Sequence, residues 1–245
     1  MRIFSLVLAT LFFMFMLSEP AFAQGISIDL GNSKTPIFTS KVIQIIALIT
    51  LLSLAPSILV MVTSFTRIVI VLSFLRTAIG LQQTPPNSVL ISLALFLTMF
   101  IMAPTFEQSY EIGIKPLMNE EIEELDAFPK ITQPFKTFML SNTRDKDLSL
   151  FLDMGAIETV NKAEIPLHVV IPSFMLSELK RAFEIGFLIF LPFLIIDMLV
   201  ASTLMAMGMM MIPPVMISLP FKLIFFVLID GWYMLCGSLV KSYGL

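Results

Sequence analysis

Cysteine, histidine and tryptophan each occur once in this chain of 245 residues. The lone Cys236 excludes an internal disulfide and a multi-cysteine metal site. With His168 as the only histidine, one chain can build neither a histidine metal cluster nor a His-Asp-Ser set. No GxxxxGK phosphate loop and no GxSxG nucleophile turn is present. Charge is also scarce. Only 13% of residues are charged, about half of the ~25% usual in soluble domains. An enzyme of soluble type is therefore not expected, and no cofactor is implied.

What fills the space is apolar. Hydrophobic residues make up 57% of the chain, and the mean hydropathy is +0.94. The apolar residues gather in long runs near 42–75, 89–103 and 185–240, which invites comparison with the ~20 residues of a membrane span. The expected class is all-α: a multi-helix membrane protein with two long helical hairpins and a small helical polar segment.

The N-terminus reads as an export signal. Arg2 is a short positive region, Ile3 to Leu17 is apolar, and Ala21-Phe22-Ala23 offers small residues for cleavage between Ala23 and Gln24. The alternative is an uncleaved first transmembrane helix. Residues 1–23 are thus assigned to the signal and 24–104 to an N-terminal region with helices 42–75 and 89–103. Pro56 is expected to kink the first, Pro85-Pro86-Asn87 to form a loop, and Pro104 to stop the second.

Residues 105–184 carry 14 acidic and 8 basic residues, and Glu120 to Glu124 is an acidic patch. Pro134 is expected to begin one short amphipathic helix and Asp147 another. From Phe174 the pattern runs on into the apolar region. Residues 185–245 read as a hydrophobic helical hairpin, because Pro213-Pro214 cannot continue a helical hydrogen-bond ladder. Charge gives an orientation. With the mature N-terminus outside, the first span brings Arg67 and Arg76 inside, in keeping with the positive-inside rule. The segment 105–184 then returns to the periplasmic side.

Asp197, Lys222 and Asp230 are ionisable groups inside apolar runs. Such charges find a partner or mark a polar path. A proton path and a structural ion pair both remain open. At ~1.5 Å per residue, Asp197 lies roughly 16 Å and Lys222 roughly 10 Å from the hairpin tip, so the long lysine side chain makes a pair feasible. Of 18 methionines, six fall between Met205 and Met216, three of them consecutive: Met209, Met210 and Met211. A methionine stripe is ordinarily core packing. Three in a row at a tip could instead form a compliant collar.

Several ordered motifs resemble the FliP family. They are Thr63-Ser64-Phe65-Thr66-Arg67, Pro85-Pro86-Asn87, Leu93 to Thr98, Pro172 to Phe183, Pro192 to Asp197, Gly208 to Pro214, Leu219-Pro220-Phe221-Lys222 and Asp230-Gly231-Trp232. In the first signature, from Pro172, Ser173 stands where alanine is common. The resemblance implies a core subunit of the flagellar type III export gate, forming a ring of several copies with FliQ and FliR beside FlhA and FlhB. Such an assembly carries unfolded flagellar proteins across the bacterial inner membrane at the basal body. It also implies that Asp197, Lys222, Glu178 and Asp230 are buried assembly contacts, and that Met209, Met210 and Met211 form a gasket. The hairpins of that family can pack in an assembly raised above the bilayer. An injectisome gate subunit and an unrelated ion- or proton-conducting membrane protein are the alternatives.

Overall fold

The computed structural model describes residues 36–244 except 82, 158–160, 162–163 and 210–212. The expected cleavage site at Ala23 and Gln24 lies outside the described residues. Among those residues all regular structure is helical. In chain order the helices are α1 (Pro36–Met61), α2 (Phe65–Ile79), α3 (Asn87–Ser109), α4 (Lys115–Met118), α5 (Glu124–Asn142), α6 (Asp145–Met154), α7 (Leu167–Ala206), α8 (Pro214–Leu228) and α9 (Gly231–Lys241). The chain divides into two units, 1–53 and 54–245. In the first, Ile43, Ile46, Leu48, Ile49 and Leu52 of α1 are all exposed.

The expected helix over 42–75 is two helices, and the break falls at Val62–Ser64 rather than at Pro56. Hydroxyls supply the cause. Thr63 Oγ1 and Thr66 Oγ1 both donate to the Val60 carbonyl, and Thr63 Oγ1 accepts the Phe65 N–H. Side chains of this kind offer the backbone an alternative to the helical ladder.

Pro104 does not stop α3. The helix passes through it to Ser109 and continues through a π-helical turn, Tyr110–Ile114, into α4. Likewise α5 begins at Glu124 and carries Pro129 and Pro134 in its interior. Its packing holds it through those prolines. A Cβ on Gly113 would come within 2.5 Å of the Ile131 side chain, and Phe106 meets Phe135 edge-on at 5.6 Å. An interior proline removes one backbone bond, which such contacts offset. The second short helix starts at Asp145, two residues before the expected Asp147.

Helix α7 is continuous for 40 residues, as the run-on pattern after Phe174 implied. Its length is about 60 Å, twice the ~30 Å of a bilayer core. It and the 32-residue run Asn87–Met118 are each long and apolar enough to cross a membrane. The pair α8 and α9 would make a third such element, bent by 62°.

Helix α2 lies along α7 at close range. Phe74 sits against Gly186, where a Cβ would be 2.4 Å from the ring. The rings of Phe183 and Phe190 flank it at 5.1 and 6.1 Å. Ile68, Val71, Leu72 and Leu75 of α2 are buried in a core that also takes Ala94, Ile101, Phe193, Phe226 and Leu239. A second cluster, with Met139, Leu148, Val170 and Phe174, seats α5 and α6 on the first half of α7.

Candidate functional site

The hairpin of α7 and α8 closes at its tip end on glycine. Gly208 has φ +75, its N–H bonds to the Met205 carbonyl, and the Met209 N–H bonds to the Leu204 carbonyl. This left-handed closure satisfies the last carbonyls of α7. Pro213 and Pro214 then open α8, where a missing N–H costs nothing. Met209 is exposed. Met210 and Met211 lie outside the described residues.

Below the tip, Asp197 and Lys222 meet within one chain. Lys222 Nζ is 2.6 Å from Asp197 Oδ2, and Ser218 Oγ donates to Asp197 Oδ1 at 2.5 Å. Lys222 Nζ also donates to the Ala78 carbonyl at 3.2 Å. That carbonyl belongs to the last turn of α2, where acceptors lack helical partners and a cation is favourable. One ammonium thus ties α7, α8 and α2 together. The burial is uneven, with side-chain exposure of 5% for Lys222 and 35% for Asp197.

A second charged site lies toward the other end of α2. Arg67 and Glu178 pair through both guanidinium edges: Nε donates to Oε2 at 2.9 Å, and Nη2 donates to Oε1. Their side chains are 1% and 0% exposed. Nη1 donates to Ser242 Oγ at 2.9 Å. The Tyr243 hydroxyl donates to Glu178 Oε2 at 2.5 Å, and its ring lies 3.9 Å under the guanidinium carbon. Phe138 stacks on that ring from α5 at 5.8 Å. The fork geometry suits arginine, since two parallel charge-assisted bonds fix it in a plane.

This pair removes Arg67 from the charge argument for orientation. A bilayer core of about 30 Å cannot separate groups 2.9 Å apart. Arg67 therefore shares a level with Glu178 and does not sit with Arg76 in an inward loop. Arg76 stands about 14 Å further along α2, where it donates to Asn87 Oδ1 and to the Pro85 carbonyl. Arg76 is then less than a bilayer core of about 30 Å from Glu178 as well, so the positive-inside argument keeps neither charge.

The polar segment has its own buried carboxylate. Asp147 Oδ1 and Oδ2 accept from Arg144 at 2.9 and 2.7 Å, and Oδ2 accepts from Ser177 Oγ at 2.5 Å. Ser177 in turn accepts the Arg144 backbone N–H at 3.0 Å. Burial pushes the Asp147 pKa up, but the hydrogen bonds from Arg144 and Ser177 outweigh it and hold the carboxyl below its ordinary value. The arrangement fastens the start of α6 to α7.

Of the residues singled out in the sequence, Asp197 and Lys222 come together, while Glu178 finds Arg67 instead. Asp230 joins neither site. It is exposed and sits between α8 and α9 in a left-handed conformation, φ 50 and ψ 54. Sequence reading missed Ser242 and Tyr243 altogether and missed Arg67 as a partner. The available signal was Arg67 itself, a charge in an apolar run in need of a counter-ion. No group of three metal-ligating side chains occurs among the described residues.

The comparisons with known proteins converge. The FliP family model matches residues 48–239. The chain belongs to the FliP family. It is 60% identical to the flagellar biosynthetic protein FliP of Caulobacter vibrioides over 225 residues, covering 91% of this chain and 84% of that one. It is 51% identical to the Rhizobium meliloti FliP, with 94% and 96% covered, and 52% identical to that of Bacillus subtilis, with 88% and 98% covered. The match takes in Arg67, Glu178, Asp197, Lys222 and the methionine tip, while Ser242 and Tyr243 lie beyond its end.

Proposed function

We propose that the chain is a core subunit of the flagellar type III protein export gate. Copies assemble as a ring with FliQ and FliR, beside FlhA and FlhB, at the bacterial inner membrane within the basal body. The ring passes unfolded flagellar proteins and catalyses no reaction of its own. The observation that carries this reading is the family match over most of the chain, with relatives named as flagellar biosynthetic proteins. Those names favour the flagellar gate over an injectisome subunit. Asp197, held by both Lys222 and Ser218, has the contacts of a structural ion pair, which favours the gate reading over an ion-conducting one.

Within this reading the mature chain begins at Gln24, the segment 105–184 is periplasmic, and Met209, Met210 and Met211 close the path. Methionine is unbranched and polarisable, so a collar of it can repack around varied chains. Two measurements test the proposal. Co-expression with FliQ and FliR, followed by native mass measurement, should give a ring. A chain that stays monomeric while its deletion leaves flagellar export intact sinks the gate reading. A triple Met→Ala variant should assemble but leak small solutes when idle. A tight triple-alanine ring would place the seal elsewhere.

A further inference from the structure

Helix α9 is fastened at its two ends and loosely packed between them. At its start the chain bends by 62°, with Asp230 in the left-handed region that non-glycine residues rarely hold. Gly231 there touches the Phe226 ring so closely that a Cβ would lie 2.1 Å from it. At the far end, Ser242 and Tyr243 reach the buried Arg67–Glu178 pair. Along the middle runs a cavity of about 420 Å³ whose lining includes Leu75, Phe193, Phe226, Leu235 and Leu239. Leu235 and Leu239 are the inward residues of α9. Both belong to the buried core, but where they face the cavity they forfeit the contacts a filled space would give, so the middle of α9 is held less tightly than its ends.

We propose that α9 is a hinged arm, with its hinge at Ile229–Asp230 and a latch made by Ser242 and Tyr243 closing on Arg67 and Glu178. Opening the latch frees the arm and widens the apolar cleft beneath it. The latch is separable from the body. Without Tyr243, Glu178 keeps both bonds from Arg67, so α2 and α7 stay braced. Tyr243 supplies a hydroxyl to Glu178, a ring face to Arg67 and a stacking face to Phe138. The inference goes beyond the gate reading and does not depend on a ring.

The chain carries its own probe. Cys236 is its only cysteine, and it is half-buried in α9. In the full-length protein in mild detergent, N-ethylmaleimide should label Cys236 slowly. A half-buried thiol labels at a basal rate without opening, and freeing the arm adds to it, so Tyr243→Ala should raise the rate by about fivefold or more. Amide exchange in α2 and α7 should stay as in the parent. Tyr243→Phe keeps both ring contacts and loses only the hydroxyl, so a smaller rise of about threefold is expected. An unchanged rate in Tyr243→Ala overturns the latch. So does a raised rate accompanied by equal loss of protection in α2 and α7, which would mark Tyr243 as an ordinary core residue. If Tyr243→Ala does not fold, Tyr243→Phe decides: a raised rate supports the latch and a parental rate overturns it.

Discussion

The two ion pairs of this chain differ in what surrounds them. Arg67 and Glu178 are sealed on all sides, and five hydrogen bonds and a ring face satisfy the guanidinium and carboxylate. Lys222 is equally sealed, but Asp197 is one-third open. The first pair braces a junction between the polar segment and the apolar helices. The second braces the hairpin and presents a carboxylate edge to its surroundings. A charge pair in an apolar chain is thus no single kind of device, and the partner left behind on mutation decides the cost.

The largest effect is expected at Glu178. Glu178→Ala leaves Arg67 buried without a counter-ion, a change that typically costs about 3–5 kcal/mol. Urea unfolding in detergent, followed by Trp232 fluorescence, should show it. A variant as stable as the parent would remove the brace from the account. Next comes an asymmetry at the second pair. Asp197→Ala strands the buried ammonium, at a cost of about 1–3 kcal/mol. Lys222→Ala strands a carboxylate that water can reach, and should cost less. Exchanging the two charges should recover part of the loss. Equal costs for the two single variants would mean that the exposure difference is irrelevant.

Asp147 gives a pH signature to the polar segment alone. Its folded pKa lies below the unfolded one. The stability it contributes is therefore present above the ordinary aspartate range and lost as pH falls through the folded pKa. In an acid titration Asp147→Asn should lose this part of the pH dependence. Parent and variant curves of the same shape would show that Arg144 and Ser177 do not act through charge. The smallest effect is at Ser64, whose buried hydroxyl finds no partner among the described residues. Ser64→Ala removes a desolvated group and should change stability by about 0.5 kcal/mol or less. A large loss there would reveal a role that the fold does not display.

Much of this was legible in the residues. The apolar run after Phe174 announced α7, Pro213-Pro214 announced the tip, and spacing from that tip put Asp197 within reach of Lys222. These are local signals. The Arg67–Glu178 pair joins residues 111 positions apart, and no periodicity connects them. Tyr243 follows the last helix in a stretch without pattern. The prolines misled for a related reason. Pro104 and Pro134 read as boundaries because the rule concerns backbone alone, whereas contacts such as Gly113 on Ile131 come from elsewhere in the chain.

The π-helical turn at Tyr110–Ile114 has a consequence of phase. A helix advances about 100° per residue, and a π turn takes in one residue more than an α turn. Everything after it is therefore rotated by roughly that angle relative to an unbroken α3. The side chains that line up with Thr98, Ile101 and Thr105 stop matching there, and the helix offers Gly113 to α5 instead. Deleting a single residue from this turn would restore the simpler winding and point the acidic bend at Glu120–Glu124 in a different direction. The turn acts as a one-tooth gear between the face that α3 buries and the direction in which the acidic loop leaves it.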